Sequence, residues 1–309
     1  MTLAAESSPA TTRPAAVAVE TPLRRFLSDY FESWVATAAL LALAVIVLLA
    51  IVAPWIVPQN PYDLAQVDVM ESRLPPGEKH SVSGYTYWLG TDGAGRDLLS
   101  AMLYGVRISL MVGVLSGLIA MAIGATVGLI AAYAGGRVES LIMRVVDLQL
   151  SFPAILLALM LIAILGKGVD KIIIALVTVQ WAYYARTVRG TALVESRKEY
   201  VEAARCLGLS HNRILMQHIL PNCLPPLIVV ATVQTAHAIA LEATLSFLGV
   251  GLPQTEPSLG LLISNGFEYM LSGKYWISFF PGILLLLTIM VINLVGDQLR
   301  DVLNPRLRR

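Results

Sequence analysis

Between Glu32 and Asp63 the chain runs for thirty residues without a formal charge, and between Arg107 and Arg137 for twenty-nine. Apolar runs of this length cannot all be laid against one aqueous core. They match the roughly 20 residues that a helix needs to cross a bilayer core of about 30 Å. In such a core every backbone N–H and C=O must be bonded internally, and unbroken apolar runs meet that demand as helices. The fold class is therefore all-α integral membrane. Composition agrees: 14% of the 309 residues are charged, against about 25% in a soluble domain.

Six spans are expected, at about 35–56, 108–132, 148–166, 170–187, 224–247 and 276–295. The fourth is the shortest, because Lys171 and Arg186 enclose only fourteen uncharged residues and must snorkel outward to extend it. Orientation follows from Lys and Arg in the flanking segments. With the N-terminus inside, fifteen fall on the cytoplasmic side and seven outside. Both termini are then cytoplasmic. The outer loops are 57–106 and 249–275, and the long inner loop is 187–222. Residues 1–30, rich in Ala, Ser, Thr and Pro, read as a disordered cytoplasmic tail, with no cleaved signal peptide. The domain proper is 31–309.

Net charge of +1 gives no basis for binding nucleic acid. Cys206 and Cys223 fall on the reducing side and read as free thiols. His80, His211 and His218 have no metal-ligand spacing, so no metal or other cofactor is expected. No nucleophile–base pair is visible, and no enzyme activity is expected of the chain alone.

The inner loop carries the most distinctive pattern. Ala192 to Leu207 is a run of good helix formers, and Gly208 suits the left-handed end of a helix. Ser210 is placed to cap a second helix over Asn212–Leu220, and Pro221 to break the chain before the fifth span. Two short helices about a glycine corner on the cytoplasmic face make a coupling element. The element runs from Glu199 to Pro221.

Glu202-Ala203-Ala204, Gly208 four residues later, and Ile219-Leu220-Pro221 resemble the EAA loop of ABC-type import permeases. The stretch Leu89-Gly-Thr-Asp-Gly-Ala-Gly-Arg-Asp97 is similar to that of the dipeptide, oligopeptide and nickel branch. So are Glu242-Ala-Thr-Leu-Ser-Phe-Leu-Gly249 and Asn304-Pro-Arg306. His218 departs from the general pattern but suits this branch. The organisation resembles its C-type subunit, over residues 30–309. The resemblance implies a type I ABC importer fold and a bacterial inner-membrane location. It implies four partners: a homologous second permease, two ABC ATPase subunits that bind the ATP, and an external solute-binding protein. Short peptides are the implied substrate class, with nickel or another small solute as the alternative. Glu202 is implied to make a polar contact in a groove of the ATPase.

The glycines of 89–97 do not form a nucleotide loop, since a Walker A pattern needs Lys-Ser or Lys-Thr after them. Thr91, Asp92, Arg96 and Asp97 read instead as capping and pairing residues at the outer end of the second span. Within the fifth span, Gln234, His237 and Glu242 are the polar residues at membrane depth. Residues 237 and 242 lie about 500° apart around the helix, so no shared proton site is expected. Interhelical hydrogen bonding and a place on the translocation path both remain open, the latter best for Gln234 and His237. Glu242, near the outer end, is expected to be partly hydrated. An ion-gradient-driven transporter is the rival; it calls for a carboxylate-lined path and discontinuous helices at the midplane.

Overall fold

The computed structural model describes residues 21–256 and 258–303. Eleven α-helices are found among them: α1 (Pro22–Phe31), α2 (Trp34–Ile56), α3 (Leu98–Ala134), α4 (Gly136–Ser151), α5 (Ala154–Leu165), α6 (Val169–Glu195), α7 (Glu199–Cys206), α8 (His211–Ile214), α9 (Leu220–Phe247), α10 (Leu259–Phe267) and α11 (Trp276–Leu303). Four runs are long and apolar enough to cross a membrane: α2, α3, the continuous stretch His211–Phe247, and α11. Helices α4 and α5 pass the same test only as a pair, bent by 92°. Helix α6, 27 residues long, has the length but carries Asp170, Lys171, Arg186, Arg189 and Glu195.

Several expected boundaries move. Residues 148–166 do not form one straight span. Pro153 lacks an N–H and forces Phe152 out of helical geometry (φ −86°, ψ 138°), so the helix ends and restarts at an angle. The tail is not irregular to residue 30: α1 occupies its last part, while residues 1–20 lie outside the described residues. The outer loops also contain structure. Helix α3 begins at Leu98, inside the stretch expected as loop, and α10 occupies 259–267.

Small residues set the packing. The buried face of α2 is Ala36, Ala39, Ala50 and Ala53, while Leu41, Val45 and Leu48 point outward. Along α3, Gly113, Gly117, Gly124 and Gly128 form a groove into which α6 and α9 settle. At Gly124 and Gly128 a Cβ would fall inside contact distance of the backbone at Trp181 and Ala185. Where lipid supplies no hydrophobic drive between helices, such close approach is what holds them together.

Between α2 and α3 the chain folds into an outer cap. Its centre is Glu71, buried, whose carboxylate accepts from Ser81 N at 2.6 Å and from the hydroxyl of fully buried Tyr87. Burial opposes ionisation of Glu71, but these hydrogen bonds outweigh it and hold the carboxyl below its ordinary value.

Candidate functional site

The end of α6 and the start of α9 bracket an exposed corner. After Glu195 the chain turns through Ser196–Lys198 and enters α7, so the expected helix over 192–207 is two helices, not one. Helix α7 closes at Gly208, whose φ of +73° is open to glycine and strained for other residues. Gly208 N donates to Arg205 O at 3.0 Å and Leu209 N to Ala204 O at 3.2 Å, a Schellman closure. Ser210 then occupies the N-cap position of α8, though its side chain makes no capping bond.

Pro221 does not break the chain. Leu215–Ile219 forms a π turn, and Leu220 continues directly into α9. Pro221 cannot donate to the carbonyl four residues earlier, and its ring crowds that carbonyl. The widened turn relieves both problems without ending the helix.

The corner has a buried base and an open top. Val201, Ala204, Ile214 and Ile219 are buried with Leu129 of α3, and with Val188 and Ala192 of α6, in one apolar cluster. Ala204 and Ile219 therefore support the corner from beneath. Glu199, Glu202, Ala203, Gly208 and Pro221 are exposed, and Leu220 is half-buried. Leu207, at 79% exposure, projects beside Gly208.

A polar clamp fixes this arrangement. Glu195 accepts from Lys198 Nζ at 2.6 Å and from the Tyr200 hydroxyl at 2.7 Å. Asn222 Nδ2 donates to His218 O at 2.7 Å and to the Tyr200 hydroxyl at 3.2 Å. Burial and the adjacent Glu195 carboxylate push Tyr200 up to about 12, so it stays protonated and donates. Sequence reasoning missed Glu195, Tyr200, Asn222 and Leu207. The clamp spans a chain turn and shows no helical period; an apolar residue just before a helix-ending glycine was the available signal for Leu207.

Thr91, Asp92, Arg96 and Asp97 lie at the other end of α3. All four are buried. Thr91 Oγ1 donates to Glu71 O at 2.6 Å, and Arg96 Nε pairs with Asp92 Oδ2 at 2.8 Å. Asp97 caps α3, accepting from Ser100 N at 2.8 Å. In α9, Gln234 is buried and His237 exposed, so the two do not meet at one site. Glu242 is not hydrated: it is fully buried and accepts from Ser109 of α3 at 2.9 Å and Ser246 at 2.8 Å.

Residues 124–309 match the family described as binding-protein-dependent transport system inner membrane component. Residues 21–76 match the N-terminal TM domain of oligopeptide transport permease C. A putative peptide transport system permease protein of Brucella suis is 43% identical over 269 residues, 87% of each chain. The di/tripeptide transport system permease protein DppC of Pseudomonas aeruginosa is 36% identical over 93% of each chain. The dipeptide permease DppC of Bacillus subtilis is 37% identical over 89% of this chain and 82% of its own. In structure, the chain is similar to one in the inward-facing MetNI methionine ABC transporter, with TM-score 0.56 and 22% identity, over 67% of this chain and 98% of that one. That likeness shows the fold. The chain belongs to the binding-protein-dependent transport permease family and is a membrane permease subunit of an ABC importer.

Proposed function

We propose that this subunit forms half of a path for short peptides and couples it to separate ATPase subunits through the α7–Gly208–α8 corner. The observation that carries the reading is the corner's two-sided build. Its base is locked into α3 and α6, while Glu199, Glu202, Ala203 and Leu207 stand open on top. A push on that face must move the helices beneath it, because Val201 and Ile214 have no slack. Glu202 supplies the polar contact to the ATPase and Leu207 the apolar one. His237, on an open face of α9, is retained with Gln234 as a pathway candidate. The relatives' peptide-transport names support peptides as the cargo. A homologous permease, two ATPases that hydrolyse the ATP and an external solute-binding protein complete the assembly, placed in a bacterial inner membrane with both termini cytoplasmic.

Purification in mild detergent tests the coupling. The wild-type chain is expected to retain an ATPase. Gly208→Pro, which cannot reach φ +73°, is expected to insert normally yet abolish uptake, as is Glu202→Ala to a smaller degree. Normal uptake by Gly208→Pro would remove the corner from the mechanism.

A further inference from the structure

The bend between α4 and α5 lies in the body of the bundle. As α4 advances from Glu139 to Gln149, its partners on α6 run from Arg189 back to Val179. Arg189 Nε donates to Glu139 Oε1 at 2.8 Å, Arg186 pairs with Asp147, and Gln149 Nε2 donates to Val179 O at 3.3 Å. Trp181 Nε1 donates to Gln149 Oε1 at 2.7 Å. Residues 179–186 are the middle of α6. The same stretch packs on Gly124 and Gly128, in the cytoplasmic third of the apolar run of α3. Arg186 thus lies about one turn inside the end of that run, and Val179 further in. The far end of α4 therefore stands at membrane depth.

One face of α4 is polar along its whole length. Arg137, Ser140, Arg144, Asp147 and Ser151 recur every three or four residues, and all are exposed. Beside them on α6, Tyr183 and Arg186 are exposed as well. The side chains of Arg186 and Asp147 keep 55% and 63% of their surface open despite pairing with each other. Beyond the bend the character reverses: the exposed residues of α5 are Leu156, Met160, Ala163, Ile164 and Leu165, all apolar.

Charges within the membrane turn to the bundle interior or to water, since facing acyl chains costs up to about 3 kcal/mol each at the centre of a span. Exposure rules out the interior of this subunit's own bundle, leaving water or the facing surface of the partner permease. Irregular backbone at membrane depth is tolerated only where protein covers it or water reaches it, and Ser151, Phe152 and Pro153 are all exposed at the break. From this geometry we propose that Ser140, Arg144, Asp147 and Ser151 of α4, with Tyr183 and Arg186 of α6, form a water-facing wall of the translocation path, running from the cytoplasmic end to the bend. Val138, Leu141, Val145 and Leu148, on the adjoining face of α4, mark where the wall ends. Two guanidinium groups, one carboxylate and three hydroxyls make it a surface for small polar solutes bearing carboxylate and amide groups. The inference rests on the permease reading, and it assigns a path to residues outside α9.

Thiol accessibility in the full importer tests it. Cys206 and Cys223 are first replaced by Ala, and variants that lose the ATPase on purification are set aside, since that loss bears on the coupling reading alone. Single cysteines at Ser140, Ser151 and Tyr183 are compared with Leu156→Cys and Ile164→Cys in inside-out vesicles, using a charged methanethiosulfonate reagent. The wall cysteines are expected to react at least about tenfold faster than the α5 pair, because the charged reagent is excluded from hydrocarbon. Ser151→Cys and Tyr183→Cys reacting as slowly as Leu156→Cys would overturn the proposal and place this face against the partner permease or lipid. In parallel, Arg186→Gln is expected to lower uptake with the ATPase retained; unchanged uptake would also count against it.

Discussion

The Tyr200 hydroxyl stands 2.7 Å from Glu195 Oε2 and 3.2 Å from Asn222 Nδ2, so a single phenol joins the end of α6, the first turn of α7 and the start of α9. In the proposed coupling, force on α7 would pass to α6 and α9 through this group as well as through the apolar base. Tyr200→Phe keeps the ring and removes the donor to a carboxylate, an interaction of about 1.5–3 kcal/mol. Uptake is expected to fall several-fold while the ATPase stays bound, with a lower thermal midpoint in detergent. Unchanged uptake and midpoint would show that the clamp carries nothing.

The glycine groove of α3 makes a sharper prediction. A methyl at residue 128 would meet Ala185 Cα at 3.0 Å, with the carbonyl of the same residue closer still. Backbone cannot step aside as a flexible side chain can, so α6 must move as a body. Gly128→Ala is expected to destabilise by about 1–3 kcal/mol, the usual range for overpacking. Gly190→Ala is the control: nothing lies within 4 Å of its added carbon, and alanine is the better helix former by about 1 kcal/mol. Thermal unfolding of the two variants in one detergent should shift the midpoint in opposite directions.

The outer cap should respond to acid. Glu71 is held below its ordinary value, so its hydrogen bonds contribute stability that is present above the unfolded value, about 4.3, and lost as pH falls through the folded one. The cap is expected to resist protease from neutral pH down to roughly pH 4.5 and to loosen below it. Glu71→Gln keeps the shape but accepts more weakly from Ser81 and Tyr87. It should be more readily cleaved at neutral pH and show less change on acidification. Identical cleavage profiles for the two proteins would remove Glu71 as the cause.

The sequence pattern gave away what depends on long runs and on glycine. Thirty uncharged residues before Asp63 left no choice but a membrane helix, and Gly208 marked a corner because few other residues tolerate its φ. What escaped was set by neighbours distant in the chain. The partner of Glu195 at Tyr200 sits across a turn, and that of Glu242 at Ser109 is 133 residues away. Pro153 carried a clear signal, a break within an apolar run, but length favoured reading through it as one span. Pro221 carried the same signal, and there the chain absorbed it as a π turn.

Glu242 offers a last test, because it is fully buried between two helices. Its two oxygens accept from Ser109 on α3 and Ser246 on α9, and no surface of it reaches solvent. A carboxyl group in that setting ties α3 to α9 through its hydrogen bonds. Glu242→Gln retains an oxygen acceptor, and the serine hydroxyls can rotate to accept from its amide, so stability and uptake should stay near wild type. Glu242→Leu removes both acceptors and leaves the buried hydroxyls of Ser109, Ser246 and Ser258 without that partner, each costing about 1–3 kcal/mol if unpaired. It should lower the thermal midpoint sharply, and adding Ser109→Ala should restore part of the loss by removing one orphan group. A Glu242→Gln chain that folds and binds its ATPase but no longer transports would assign the carboxylate to the path after all.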